Sequence, residues 1–395
     1  MRKIKYPYKN DFEKQKFNNT YYNLIKLKLD EKKINFILKK IDKDYSLKKI
    51  LISDFSELII IQDKVRKSLQ RKNLESFFKS GIKNKIKYTY ETFQKSISGF
   101  FMDNGIDLQS CHYCNVDYVN TFEEHYQFSS TEEFISKAPK EVLGLVDEIS
   151  DKTAKEIINK RLPNIIINDL KPLLGPRVYA KLFKLWNSSN LKNSANVDLK
   201  NIVIKRNHYT LDHVLPKNEF SFLSLSLYNL VPSCYSCNSK FKHIKEFTVN
   251  TELAKLCPTS DNFELDKLFK FKINFDVNDK DFEMKISQVK QIDDVEVKIE
   301  NIHSEDGVDE FLEIFKIKSR YEFHKNISFD LIEKRKDYSN SQLIEIENIF
   351  AEKGIMIDTQ TFKKQIFGSI IYEKQDTNAP FEKYKKDIAT QLGLI

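Results

Sequence analysis

Four of the five cysteines in this chain fall into two C-x-x-C turns, Cys111/Cys114 and Cys234/Cys237, and the fifth, Cys257, stands alone before Pro258. A C-x-x-C turn presents two thiolates from one tight loop, and zinc takes four ligands in a tetrahedron. In a reducing compartment this usage favours a metal over disulfides. Two turns supply four sulfurs, so the pattern predicts a structural zinc site with no open coordination position. Cys114 and Cys234 are 120 positions apart, so the fold has to bring the turns together. Unligated core cysteines and a redox pair are the competing readings. His112 and His125 are zinc alternates that four thiolates make unnecessary.

A second group of reactive residues surrounds the second turn. The stretch TLDHVLPKNEF, residues 210–220, sets Asp212 beside His213 at the end of an alternating run that Pro216 terminates. Downstream, YNLVPSCYSCNSKFKHIKEF reads as a short apolar strand and then a helix opening near the cysteines. Asn229 enters that strand and Asn238 lies on the helix. Phosphodiester cleavage needs a base to activate water and a divalent cation to offset charge on the phosphate and leaving oxygen. His213 is the natural base, being neutral near physiological pH. Asp212 offers a hard carboxylate oxygen for Mg²⁺ or Mn²⁺, and Asn238 a neutral oxygen. Lys217, Lys240 and Lys242 are the candidate phosphate contacts. Taken singly, each has a bland reading: a surface Asp–His pair, a turn asparagine, a helix cap at Asn238. Their joint order and spacing favour chemistry.

The segment YTLDHVLPKNEFSFLSLSLYNLVPSCYSCNSKFK resembles an HNH endonuclease, the ββα-metal type with cysteine knuckles, through D-H-x-x-P-K followed by N-L-V-P-x-C-x-x-C-N. The likeness covers about 40 residues, plus CHYCN upstream. It implies a catalytic set of His213 as general base, Asp212 as metal ligand, Asn229 fixing the hairpin, and Asn238 as metal ligand in the third signature position. The implied cofactors are catalytic Mg²⁺ or Mn²⁺ and structural zinc on the cysteines. The implied partner is nucleic acid, DNA before RNA. The resemblance extends to bacterial defence nucleases of the Septu and retron-associated kind, in which an HNH subunit works with an ATPase. A zinc-stabilised nucleic-acid-binding module with a silent centre is the alternative. In two respects the chain departs from the pattern. About 97 residues separate the first cysteine turn from Asp212, which reads as an inserted subdomain, and the third signature position is Asn rather than His. His243 is a second-choice ligand and His208 a structural residue.

The elements that must position these groups are mainly helical, so the expected fold class is α+β with a central ββα-metal core. Residues 1–105 form a helical region. Residues 106–250 form the nuclease domain, with a helical insertion at about 128–198 and a ββα core at 205–247. Residues 251–395 form a strand-then-helix region. Apolar residues recur at three-to-four spacing through 24–41. SELIIIQDKVRKSLQRKNLESFFKSG continues in the same way and stops at Gly81, and YTYETFQKSISGFFMDNG adds a helix ending at Asn104–Gly105. VDYVNTFEEHYQF has strand character, residues 130–190 are helical behind a Ser-Thr-Glu-Glu cap, and 188–198 is a polar loop. Residues 269–302 alternate polar and apolar, predicting two to four strands. Several helices follow Gly307, one of them carrying Tyr321 through Leu331.

Composition is that of a globular chain, 41% hydrophobic and 31% charged, rather than a disordered one. No apolar run is long enough for a membrane span, and the N-terminus lacks a secretory core, so cytoplasmic residence is expected. The net charge of +8 is uneven, with 24 Lys/Arg against 10 Asp/Glu over residues 1–88. That basic region either docks on a phosphate backbone or follows from a lysine-rich composition throughout.

Overall fold

The structure, a computed structural model, describes residues 1–80, 82–83, 86–87, 89–146, 149–159, 167–172, 174–187, 198, 200–243, 245–302, 306–355 and 358–395. The expected stop at Gly81, most of the polar loop 188–198 and part of the helical stretch 130–190 lie outside them. The class is α+β: helices predominate, and among the described residues four small antiparallel sheets of two strands each accompany them. The chain divides into two compact units, Met1–Asn120 with Asn207–Ile395, and Thr121–Arg206.

In the first unit the N-terminal helices are Asp11–Lys26, Glu31–Ile41, Leu47–Ile52, Phe55–Lys67, Arg71–Ser80 and Tyr90–Asp103. Most of these starts are written locally. Asn10, Asp30, Ser46 and Asp54 each accept a hydrogen bond from the backbone N–H three residues on, satisfying a donor that the helix leaves orphaned. The long periodic run before Gly81 is two helices rather than one. Ser68 turns extended after Lys67, and the break leaves Leu69 almost wholly exposed. Gly105 takes a left-handed φ of 65° just past the end of the last helix, a conformation glycine adopts without strain. Two two-residue strands, β1 (Ile82–Lys83) and β2 (Ile86–Lys87), pair between the fifth and sixth helices.

These helices matter for the site because they grip one loop. The strands β5 (Thr210–His213) and β6 (Leu230–Ser233) pair antiparallel, with Asp212 opposite Val231 and His213 opposite Leu230. (Strands β3 and β4 belong to the second unit, below.) The connection between them is buried under the N-terminal helices. Tyr21 Oη donates to the Leu225 carbonyl at 2.7 Å, and Tyr228 Oη donates to Asn18 Oδ1 at 2.8 Å. Ser226 Oγ donates to the Ile50 carbonyl.

The C-terminal part grips the first cysteine turn. Tyr321 Oη donates to the Cys114 carbonyl at 2.7 Å, and the Phe381 N–H donates to the Asn115 carbonyl at 2.6 Å. Asn115 itself has a left-handed φ of 55°, which asparagine tolerates better than most residues. Strands β7 (Phe269–Lys272) and β8 (Lys298–Asn301) pair here. The segment between them holds a helix, Phe282–Gln288. Phe282 and Ile286 are both buried four positions apart, so helical period wins over alternation. The run from Tyr321 to Leu331 is also split, into Ile317–Phe323 and Asn326–Asp337.

The second unit pairs β3 (Thr121–Gln127) with β4 (Asn201–Asn207) and packs helices around a core of its own. Ser130 caps Thr131–Lys137, as its sequence implies. Phe134, Ile135, Val142, Leu143 and Ile157 are fully buried there. Just outside it, the His208 N–H donates to the Asn120 carbonyl at 2.8 Å, holding the two ends of the insertion together. Ile157→Ala is expected to cost this unit about 3 kcal/mol, typical of a large-to-small change in a closed core. Hydrogen exchange should show faster amides across 121–206, with residues of the first unit unchanged.

Candidate metal centre and acid–histidine hairpin

The two cysteine turns meet. The sulfurs of Cys111, Cys114, Cys234 and Cys237 lie within 4.8 Å of one another and all four residues are buried. Cys114 Sγ and Cys234 Sγ are 4.0 Å apart. A tetrahedral zinc with bonds of 2.3 Å places its sulfurs about 3.8 Å apart, so the cluster fits a structural metal such as zinc. No disulfide links them. The surroundings suit thiolates: backbone N–H groups of Cys234 and Cys237 point at Cys111 Sγ and Cys234 Sγ, each at 3.4 Å. Arg320 places a guanidinium N–H 3.2 Å from Cys237 Sγ and pairs with Asp117 at 3.1 Å. Hydrogen bonds of this kind spread the charge of a metal–thiolate centre. Neither His112 nor His125 belongs to the cluster. Buried His112 bonds the Arg2 carbonyl through Nδ1 at 3.0 Å, and burial pushes its pKa down to about 4. His125 is exposed in the second unit.

The second turn leads straight into a helical segment, Ser236–Lys242, with wide i→i+5 bonding seen in the His243 N–H to the Asn238 carbonyl at 3.0 Å. It runs alongside β5. Asn238 Nδ2 donates to Thr210 Oγ1 at 2.9 Å, and four residues later Lys242 reaches Asp212. The contacts lie two residues apart on the strand and four apart on the helical segment, so each falls on one face of its element. Thr210 and Asp212 therefore share one face of β5, and His213 lies on the other.

Asn229 behaves as the hairpin-fixing residue. Fully buried, it accepts from the Leu215 N–H at 2.7 Å and donates to the carbonyls of Leu215 and Leu223 at 3.0 and 3.1 Å. His213 is buried as well. Its Nε2–H donates to the Ser224 carbonyl at 2.9 Å, which fixes the neutral tautomer and leaves Nδ1 as the basic nitrogen. Burial pushes its pKa down to about 4, against the opposing pull of the Ser224 carbonyl and Asp212. Tyr90 packs edge-on to the imidazole at 4.5 Å. Beside it Lys217 pairs with Glu91 at 2.6 Å and lies over the Tyr90 ring.

Asp212 is where structure and expectation part. Lys242 Nζ donates to Oδ1 and Oδ2 at 3.0 and 2.8 Å, and Tyr113 Oη donates to Oδ2 at 2.7 Å. The Asp212 and Lys242 side chains are only 7% and 5% exposed. Lys242 is thus no phosphate contact but the buried partner of the acid. As they stand, Asp212 and Asn238 do not fit a divalent ion: a cation already bridges both carboxylate oxygens, and the Asn238 amide is turned to Thr210. Lys240 is exposed, and Lys217 is tied to Glu91. Exposed His243 follows the helical segment with a positive φ of 42°. His208 lines a cavity of about 720 Å³ with Tyr118, Thr210, Tyr235 and His324, at the Thr210 end of β5.

Sequence reasoning missed Tyr113, Tyr90 and the true place of Lys242. Tyr113 carried a signal, since it lies between the two cysteines of the first turn and must follow them. Lys242 also had one: it stands four residues past Asn238, on the helix face that meets the strand. Nothing local marked Tyr90.

Asn229→Ala should destabilise the protein by about 3 kcal/mol, because it orphans the buried N–H and carbonyl of Leu215, each costing about 1–3 kcal/mol. Urea unfolding should show the lower midpoint.

No family model matches the chain, and neither do any curated protein or solved structure.

Proposed function

We propose that the chain is an HNH-type endonuclease that hydrolyses phosphodiester bonds in DNA, with zinc on its four thiolates as a structural cross-link. The observation that carries this reading is the joint placement of Asp212–His213 at the end of β5, Asn229 across the loop, and Asn238 on the helix that opens at the thiolate cluster. In this reading His213 takes the proton from an attacking water through Nδ1 as the water oxygen bonds to phosphorus and the bond to the leaving oxygen breaks, the departing alkoxide taking its proton from solvent. The Ser224 carbonyl keeps the imidazole in the tautomer that leaves Nδ1 open. Asn229 holds the loop that carries Ser224's neighbours, and so the base's orientation. Exposed Lys240, and Lys217 once released from Glu91, are the residues that meet backbone phosphates.

One observation favours a second reading, a zinc-stabilised nucleic-acid-binding module. His213 and Asp212 are 8% and 6% exposed, and Tyr90 covers the imidazole, so a phosphate reaches them only after the first turn of the helix Tyr90–Asp103 moves.

Supercoiled plasmid, assayed with Mg²⁺, with Mn²⁺ and without either, separates the two. Wild type is expected to nick it, and His213→Ala to lower the rate at least 100-fold, the usual worth of a positioned base, with zinc content and far-UV circular dichroism retained although the thermal midpoint falls. Plasmid binding without nicking under any of these conditions leaves the binding module standing. Mass spectrometry of the purified protein should find a single zinc per chain. Cys237→Ser should lose it, with destabilisation of about 4 kcal/mol or more, the scale of losing a structural metal.

A further inference from the structure

The ammonium of Lys242 has three N–H donors, and the protein supplies three oxygens to them. Oδ1 and Oδ2 of Asp212 stand at 3.0 and 2.8 Å, and the backbone carbonyl of His213 at 2.5 Å. A carboxylate that presents both oxygens together with a main-chain carbonyl is also the donor set that a hard divalent cation takes. The place is closed: Lys242 is 4% exposed. Tyr113 Oη occupies the outer side of Oδ2, and the ring of Phe247 lies 5.7 Å from Nζ. One feature aims the lysine there: the Asn238–Thr210 contact sets the register of the helical segment against β5.

We propose that Asp212 and the His213 carbonyl form a seat for a single cation, that Lys242 fills it, and that Lys242 and a divalent ion exclude one another there. A divalent ion bonded to the same carboxylate would lie within a few ångström of Nζ, where two positive charges in a dry site repel strongly. Binding the ion therefore requires the lysine to leave and its three hydrogen bonds to be given up. Lys242 is in this sense an internal competitor that sets how much metal the acid can take. The proposal rests on the nuclease reading only for what the seat is used for; the seat itself is a matter of cation binding.

The test is Mn²⁺ binding to the full-length, zinc-loaded protein, read by electron paramagnetic resonance of the free ion. Lys242→Met removes the ammonium while keeping an unbranched stem. Lys242→Gln keeps a hydrogen-bond donor near Asp212, should the methionine variant fold poorly. Either variant is expected to bind Mn²⁺ at least tenfold more tightly than wild type, and Asp212→Asn added to it should abolish the gain. Zinc content and thermal midpoint establish that each variant is folded. Wild type binding Mn²⁺ through Asp212 as tightly as the variants would overturn the proposal. So would a folded Gln or Met variant that binds no more than wild type. The outcomes are independent of DNA cleavage: a protein that never nicks plasmid but gains Mn²⁺ in Lys242→Met loses the nuclease reading and keeps the seat. A protein that nicks through His213, while neither variant gains Mn²⁺, does the reverse.

Discussion

Four sulfur atoms within 4.8 Å of one another are the constraint on which the reactive hairpin depends. One pair belongs to a turn that the C-terminal part holds, through Tyr321 and Phe381. The other pair opens the helical segment that lies along β5. Joining them brings Tyr113 to Asp212 from one side and Lys242 from the other. The acid is therefore positioned by groups that the cysteines carry, not by its own strand alone. Loosening the sulfurs would free both of its partners at once.

The buried charges are arranged as a balanced set. Asp212 and Lys242 offset each other, and the remaining lone pairs and protons are used by Tyr113 and the His213 carbonyl. A buried ion pair of this kind adds little net stability compared with apolar packing, but removing one partner leaves a charge stranded. Its value lies in geometry. It fixes the spacing between strand and helix, and it leaves His213 neutral on the opposite face, against Ser224 and Tyr90.

Much of this was legible in the sequence because it is written in local chemistry. The C-x-x-C turns, the cap at Ser130, and the strand that stops before Pro216 all depend on residues close in sequence. Asn229 was legible through its place before an apolar strand. What escaped depends on how elements meet. Whether Lys242 faces solvent or Asp212 turns on the wide bonding of a seven-residue helical segment and its register against β5. The break at Ser68 is another case, since a helical period persists across it while the backbone does not. Residues 282–288 alternate well enough to pass for a strand until Phe282 and Ile286 find a common core.

The insertion between Asn120 and Asn207 bears on chain entropy. An unstructured loop of that length, Thr121–Arg206, closes at a cost roughly 2 kcal/mol above one of about ten residues, since the cost rises only with the logarithm of length. Here even that difference is largely removed. Strands β3 and β4 pair within the insertion, and the His208 N–H bonds the Asn120 carbonyl where it begins and ends. For the thiolate cluster the intervening unit thus counts as a short turn. Its length and content can change without taxing the closure that joins the two halves of the metal centre.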